Sequence, residues 1–364
     1  MCGTVRYEYC EHVVDQQFLR VPMNRSIFLL CAALVLGGCV RAPVELEISG
    51  PTMGTSYSIK IVAPPADVDT AAVQTVIDDV LARIDRSMSA YRGDSEISRF
   101  NASHSTEWFE VSEDLANVVQ AALQFSEDSG GAFDVTVAPL VAAWGFGTAE
   151  RTPQSLPEPA ALDALRASTG YEKLQVRMRP PALRKTLAEV QIDLNAIAPG
   201  YAVDQLGGRF SSLGIKRYMI NIGGEIRVQG SNAQGAVWKI AVERPVDGET
   251  IPYAIIGLSN LAITVSGEYR RYYEIDGRRY SHTLDPRTGR PVEHSLASVA
   301  VIGPTSMYTD GWATALNVLG AQAGYDLAMQ RDIAAMFIER RDGRLRWRAT
   351  PDFEARLNWP DIDE

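Results

Sequence analysis

Residues 280–314 read YSHTLDPRTGRPVEHSLASVAVIGPTSMYTDGWAT and gather His282, Asp285, Asp310 and Thr314 into one stretch. A histidine titrates near neutral pH without much tuning, so His282 is a candidate base for a hydroxyl proton. Asp285 stands in a Pro/Gly turn. Asp310 and Thr314 are spaced i and i+4, which puts both on one side of a helix's first turns. Asp193 and the carbonyl of Ala196 add further oxygen donors. Hard oxygen ligands with few carboxylates suit Mg²⁺, which keeps several waters and works with a substrate's phosphates. A helix-capping aspartate would account for Asp310 alone, and a packed polar residue for His282.

Three other segments could meet a ligand. Met53-Gly54 lets the backbone approach something closely, or simply starts a strand. Tyr91 could stack on a planar group or pack half-buried at a helix end. Ala132, Phe133 and Asp134 follow a double glycine, an acid-plus-aromatic loop that also reads as a packed turn.

Helices and strands must position these groups. Val73, Ile77, Val80, Leu81, Ile84 and Met88 recur at helical spacing, predicting a helix over 70–89. A second helix is expected over 113–127, with Ser112 as N-cap and Gly130-Gly131 as its stop. Pro199 and Gly200 mark another helix start. Further helices are expected from Asp310 and near 322–331. β-Type runs predict strands over 56–62, 189–194, 218–222, 226–229, 238–243, 254–258, 262–266, 269–275, 296–302 and 335–338. Asp276-Gly277 is a hairpin turn, and Gly223-Gly224 reads as a bulge or a close backbone approach. Residues 40–48 read as a tether, 148–186 as a peripheral insertion with one helix over 159–168, and the chain's end as a polar tail. Many short strands, flanking helices and no βαβ alternation define an α+β fold.

Composition excludes several functions. The chain has 364 residues, 46% of them hydrophobic and 22% charged, enough for a sizeable core. A net charge of -10 excludes general nucleic-acid binding, which needs a basic footprint. No HExxH, GxSxG, P-loop or GxGxxG unit occurs.

All four cysteines lie at positions 2, 10, 31 and 39, so neither a disulfide framework nor a cysteine zinc site belongs to the body of the protein. From Met23 the chain reads MNRSIFLLCAALVLGGC, a basic start, an apolar run and small residues before Cys39. That is a secretory signal over 23–38, and its run of about ten apolar residues is short of a membrane span. Residues 1–22 are mixed in charge, so Met23 reads as the true start. Leu36-Gly37-Gly38-Cys39 is similar to a bacterial lipobox, with Cys39 lipidated and the protein anchored to the envelope facing the periplasm.

Six segments carry a wider resemblance: SAYRGDSEISRFN, GGAFDVTVAPLVAAWGFG, IDLNAIAPGYAVD, INIGGEI, SGEYRRYYEIDGRRYSHTLDPRTGRP and TDGWATALNVLG. They occur in the order seen in the ApbE family, Mg²⁺-dependent FAD:protein FMN transferases, and the likeness covers residues 45–350. The resemblance implies a T-fold-like core. It implies flavin contacts at Met53, Tyr91, Ala132, Phe133, Asp134, Asp193, Pro199 and Leu284. Mg²⁺ would be held by Ala196, Asp310, Ala313 and Thr314, with His282 as base and Asp285 as the turn that aims Leu284. The implied reaction moves FMN from FAD to a threonine or serine hydroxyl and releases AMP. Acceptors would be exported redox subunits, such as those of sodium-pumping NADH:quinone reductase or Rnf-type complexes. Many members carry Lys or Glu at Pro199 and some carry Asp at Ala313, while Asn195 replaces a smaller residue. Two rival readings are a Mg²⁺-dependent FAD pyrophosphatase and a non-catalytic FAD-binding lipoprotein.

Overall fold

A computed structural model describes residues 43–147, 155–246, 248, 251–268 and 271–358. The 1–22 segment, the signal over 23–38 and Cys39 lie outside these residues. Strands β1 (Glu45–Thr52) and β2 (Thr55–Val62) form a hairpin around Met53-Gly54. Both turn residues have positive φ, 47° and 72°, whose twist matches that of the flanking strands. Residues 45–48 are therefore strand rather than tether, with Leu46 and Ile48 turned inward and Glu45 and Glu47 outward.

Helix α1 (Thr70–Met88) starts at Asp69, whose carboxylate accepts the Ala72 N–H at 2.8 Å. Next come α2 (Glu96–Ala102), β3 (Phe109–Glu110) and α3 (Glu113–Asp128), the last capped by Ser112. After a 3₁₀ turn at Val135–Val137 the chain forms α4 (Ala138–Ala143), α5 (Pro159–Ser168), β4 (Leu174–Met178) and β5 (Pro181–Lys185). The expected insertion thus contains a hairpin that β3 joins. Pro180 and Pro181 at its tip and basic residues along it hid the strand pattern. Residues 189–194, expected as a strand, pair with no other strand among the described residues. Asn101 takes the place of one, donating to the Ile192 carbonyl and accepting the Ile192 N–H, each at 2.8 Å.

Helix α6 (Ala198–Ser212) carries Pro199 in its first turn. Strands β6 (Tyr218–Ile222) and β7 (Glu225–Gln229) pair directly, so Gly223-Gly224 is a hairpin turn and not a bulge. Then follow β8 (Trp238–Glu243), β9 (Pro252–Leu258), β10 (Leu261–Gly267), and the hairpin β11 (Tyr272–Ile275) and β12 (Arg278–Ser281). A short pair, β13 (Leu284–Asp285) and β14 (Arg290–Pro291), precedes β15 (Leu296–Gly303) and α7 (Ser306–Gln330). Strand β16 (Ala334–Arg341) covers the strand expected over 335–338, and β17 (Arg344–Ala349), α8 (Pro351–Glu354) and β18 (Leu357–Asn358) replace the expected polar tail.

The main sheet has eight strands in the order β1-β2-β6-β7-β10-β15-β16-β17, every ladder antiparallel. On one face Ile59, Ile220, Val299 and Val301 meet Val73, Ile77, Leu206 and Leu316 of the helices. On the other, Ile263, Ala300, Ile302 and Met336 pack against Trp238, Ile240 and Ile256 of the smaller sheet β18-β9-β8. All eight residues of β15 are buried because its alternate side chains enter both clusters. Each fully buried Val or Ile there contributes about 1.5–3 kcal/mol. A third, smaller cluster joins Leu140, Trp144, Phe146, Leu162, Tyr273, Tyr280 and Leu284. The α+β reading holds. Among the described residues no helix is long and apolar enough to cross a membrane.

Candidate active site

The β11–β12 hairpin delivers His282. The Arg271 carbonyl accepts the His282 main-chain N–H at 3.1 Å and lies 2.9 Å from its Nδ1. A carbonyl only accepts, so Nδ1 carries the proton and the neutral ring keeps its lone pair on Nε2. Phe146 meets the ring edge-on at 6.4 Å. Burial pushes the imidazole below its ordinary pKa, opposed by the bond to the Arg271 carbonyl. His282 is thus neutral at neutral pH with Nε2 free to accept, the state a general base requires.

The next turn is fixed by Asp285, whose carboxylate accepts the Arg287 N–H at 2.9 Å and whose carbonyl accepts the Gly289 N–H at 2.8 Å. The Trp144 indole donates to the Gly289 carbonyl at 2.8 Å. The Leu284 side chain is buried in the aromatic cluster and packs there.

The oxygen donors lie where α6 and α7 begin. Helix α7 starts one turn before Asp310, at Ser306, because Thr305 caps it by accepting the Tyr308 N–H at 3.3 Å. Two further N–H groups of that helix end, from Ser306 and Met307, donate to Asp204 at 2.9 Å. Asp310 is therefore not a cap. Its Oδ2 accepts the Gly200 N–H at 3.1 Å. Gly200 is the third residue of α6, where a first-turn N–H has no main-chain acceptor of its own, and Asp310 supplies one. Among the described residues no main-chain N–H donates to the Ala196 carbonyl. Thr314 lies one turn along α7, half-buried, its hydroxyl without a hydrogen-bond partner among the described residues. Ala313 is fully buried and has only main-chain oxygen to offer.

Burial pushes the Asp310 carboxyl well up, the Glu225 charge adds to this, and the Gly200 N–H opposes it. A buried acid beside other acids, with a free carbonyl and hydroxyl near it, fits a hard divalent cation. Among the described residues no group of three or more His, Cys, Asp or Glu side chains could hold a metal. Of the residues expected to hold a cation, only Asp310 carries a carboxylate, so the set would be one carboxylate plus neutral oxygens, the donor chemistry that Mg²⁺ takes.

The two helices touch at Gly200, where an added Cβ would lie 2.6 Å from the Ser306 carbonyl oxygen and 2.9 Å from Asp310 Cβ. Gly200→Ala is expected to cost about 1–3 kcal/mol through overpacking and to weaken Mg²⁺ binding. Denaturant melts and a Mg²⁺ titration check this; unchanged midpoints in both would mean the helices separate freely.

The flavin candidates are placed unevenly. Asp134 accepts from the Thr136 N–H at 2.8 Å, the Thr136 hydroxyl at 2.7 Å and the Tyr171 N–H at 2.8 Å. Burial pushes its carboxyl up while these bonds pull it down. It is a turn-builder, and Ala132 and Phe133 are buried beside it. The Asp193 N–H donates to the Val135 carbonyl at 2.7 Å, joining this loop to the one before α6. The Asp193 carboxylate turns back onto the Asn195 N–H at 2.8 Å, and burial pushes it up. Met53 and Ala196 border the helix-side core, and Pro199 is half-buried. Tyr91 is 53% exposed, with no bond or ring contact joining it to the others among the described residues.

The structure therefore links the Asp134 loop to Asp193 through the Val135 carbonyl and the start of α6 to Asp310 through Gly200, and sets His282 against Phe146 of the aromatic cluster that holds Leu284. Sequence reasoning missed Asp204, Glu225 and the Arg271 carbonyl. Asp204 stood within the quoted IDLNAIAPGYAVD segment, one turn after Gly200, but nothing local shows that it caps a different helix.

An antiparallel α+β fold with one buried carboxylate near neutral oxygens, and a buried imidazole on a separate hairpin, defines the class of site. The sequence matches the ApbE family over residues 53–337, and the chain belongs to that family. The FAD:protein FMN transferase of Vibrio cholerae is 40% identical over 92% of this chain and 100% of its own length. That of Salmonella typhimurium is 40% identical over 90% of this chain and 96% of its own. Among solved structures, the flavin transferase ApbE from Vibrio cholerae aligns with TM-score 0.80 and 41% identity, covering 86% of this chain and 100% of that one. The apo flavinyl transferase ApbE of Pseudomonas stutzeri gives TM-score 0.80 at 37% identity, covering 87% and 98%.

Proposed function

We propose that this protein is an FAD:protein FMN transferase that uses Mg²⁺, esterifies a threonine or serine hydroxyl of an exported acceptor, and releases AMP. The observation that carries the reading is the His282 tautomer, with Nδ1 engaged by the Arg271 carbonyl at 2.9 Å and Nε2 free. His282 Nε2 takes the acceptor's hydroxyl proton while that oxygen attacks the FMN phosphorus. The phosphoanhydride P–O bond breaks, and the electron pair leaves with AMP. Asp310, Thr314 and the carbonyls of Ala196 and Ala313 would hold the cation, which when bound neutralises charge on the phosphate oxygens. Asp204 and the Gly200 N–H hold those donors in place. The flavin would lie against Met53, Tyr91, the 132–134 loop, Asp193, Pro199 and Leu284. Pro199 offers no side-chain contact to the diphosphate.

Cys39 would carry a lipid that tethers the enzyme to the bacterial membrane, facing the periplasm. Acceptors there would be redox subunits of the sodium-pumping NADH:quinone reductase or Rnf kind. The test incubates the protein with FAD, Mg²⁺ and an acceptor bearing a (Ser/Thr)-Gly-Ala-(Ser/Thr) motif, then reads in-gel flavin fluorescence and free AMP. A fluorescent acceptor with AMP is expected. FMN and AMP without a labelled acceptor would instead make it a pyrophosphatase, and neither product a flavin carrier.

A further inference from the structure

The proposed base and the proposed cation donors belong to different packing units. His282 rests on the small aromatic cluster, whereas Trp312 and Ala313 beside Asp310 lie in the largest core. Asn317 spans the gap. It lies three residues beyond Thr314 on α7 and is fully buried. Its Nδ2 donates to the Thr283 hydroxyl at 3.3 Å, next to His282, and to the Ser266 hydroxyl of β10 at 3.1 Å.

The main chain of Asn317 is held from the other side. Helix α7 loses helical geometry at Gly320 (φ 78°), and a helix that breaks leaves its last carbonyls without main-chain donors. The His294 Nε2 supplies one, 2.7 Å from the Asn317 carbonyl. The fit is close: a Cβ at position 320 would lie 2.7 Å from His294 Cδ2. Since Nε2 donates, the neutral ring presents a lone pair at Nδ1, which faces Glu268 Oε1 at 3.7 Å. Neither atom has another partner among the described residues. Burial raises the Glu268 carboxyl to about 8 against the pull of Arg279 and Arg340, and burial lowers His294. The raised carboxyl favours its protonated form at neutral pH, and at 3.7 Å it faces the imidazole without a hydrogen bond between them. Both residues line a cavity of about 430 Å³ behind β12.

We propose that Asn317 is a positioning residue that sets the helix carrying Asp310 and Thr314 in register with the strand end carrying His282, and that His294 holds Asn317 in that orientation. The proposal rests on the transferase reading above. Asn317 lies one helical turn beyond Ala313, and Thr283 lies between His282 and Leu284, so the link joins the two halves of the proposed site.

Asn317→Leu and Thr283→Val keep side-chain volume and remove the polar link; Thr283→Ser keeps the hydroxyl. Each of the first two should lower kcat for FMN transfer by roughly tenfold or more, with the FAD Kd unchanged. The double variant should be no slower than the slower single one, because both remove the same link. Thr283→Ser should keep the wild-type rate, and His294→Gln should keep more of it than His294→Leu. By NMR, the His282 pKa should rise toward its ordinary value in Asn317→Leu. Multiplying losses in the double variant, FAD binding that weakens in step with kcat, or Thr283→Ser as slow as Thr283→Val would each overturn the proposal. Absence of transfer by the wild-type protein would sink the transferase reading instead, while the NMR shift would still report whether Asn317 holds His282.

Discussion

His282→Ala is expected to slow FMN transfer by about 10²–10⁴-fold, the usual contribution of a positioned general base, and to leave FAD affinity nearly unchanged. Among the described residues the ring's one hydrogen bond is to the Arg271 carbonyl, so its loss unmakes no hydrogen bond to the proposed flavin or cation residues. AMP release measured with saturating FAD reports the rate, and flavin fluorescence titration reports the affinity. The pH dependence should change with it. Burial holds the His282 pKa below its ordinary value, so the acid limb of wild-type kcat/KM should lie below the usual imidazole range. In that window the unfolded chain binds the proton more readily than the folded one. Acidification through it therefore costs stability, and raising the pH restores it. The acid limb should be absent from the variant's residual activity. A wild-type rate in His282→Ala would remove the residue from catalysis.

Asp310→Asn should raise the Mg²⁺ concentration for half-maximal rate by at least roughly tenfold. The same change should raise the melting temperature of the metal-free protein. Two like charges, on Glu225 and Asp204, work against an ionised Asp310, and among the described residues the Gly200 N–H alone donates to it. Asparagine retains an acceptor for that N–H while removing a buried charge, a gain of about 1–3 kcal/mol when no cation is present. Added Mg²⁺ should then stabilise the wild type far more than the variant. Thermal melts with and without Mg²⁺ separate the two effects. Superimposable Mg²⁺ titrations would exclude Asp310 as a ligand.

Much of this arrangement is local enough to be read from residues. The helix over 70–88 and the Asp276-Gly277 hairpin follow from periodicity and turn chemistry. The placing of Asp310 and Thr314 one turn apart on a single helix follows from their spacing. What failed was tertiary. Spacing alone does not distinguish an aspartate that caps a helix from one a turn inside it. Only the structure shows Thr305 and Asp204 satisfying that helix end. Residues 189–194 look like a strand but bond to the Asn101 side chain, a partner distant in sequence. Asp134 looked like a ligand group because its three donors include the N–H of Tyr171, which local pattern does not reveal. Residues 45–48 looked like a tether because an edge strand that is half polar resembles a linker in composition.

The small cluster of Trp144, Phe146, Tyr273, Tyr280 and Leu284 has a mechanical meaning. On the proposed mechanism, the cation-holding residues are fixed to the body of the protein and the base to a separate bracket of stacked rings. What looks like a pocket is then a joint between two solid parts, and a joint is aligned by its pins. A few polar links crossing it, more than the depth of either core, set how accurately the two parts meet.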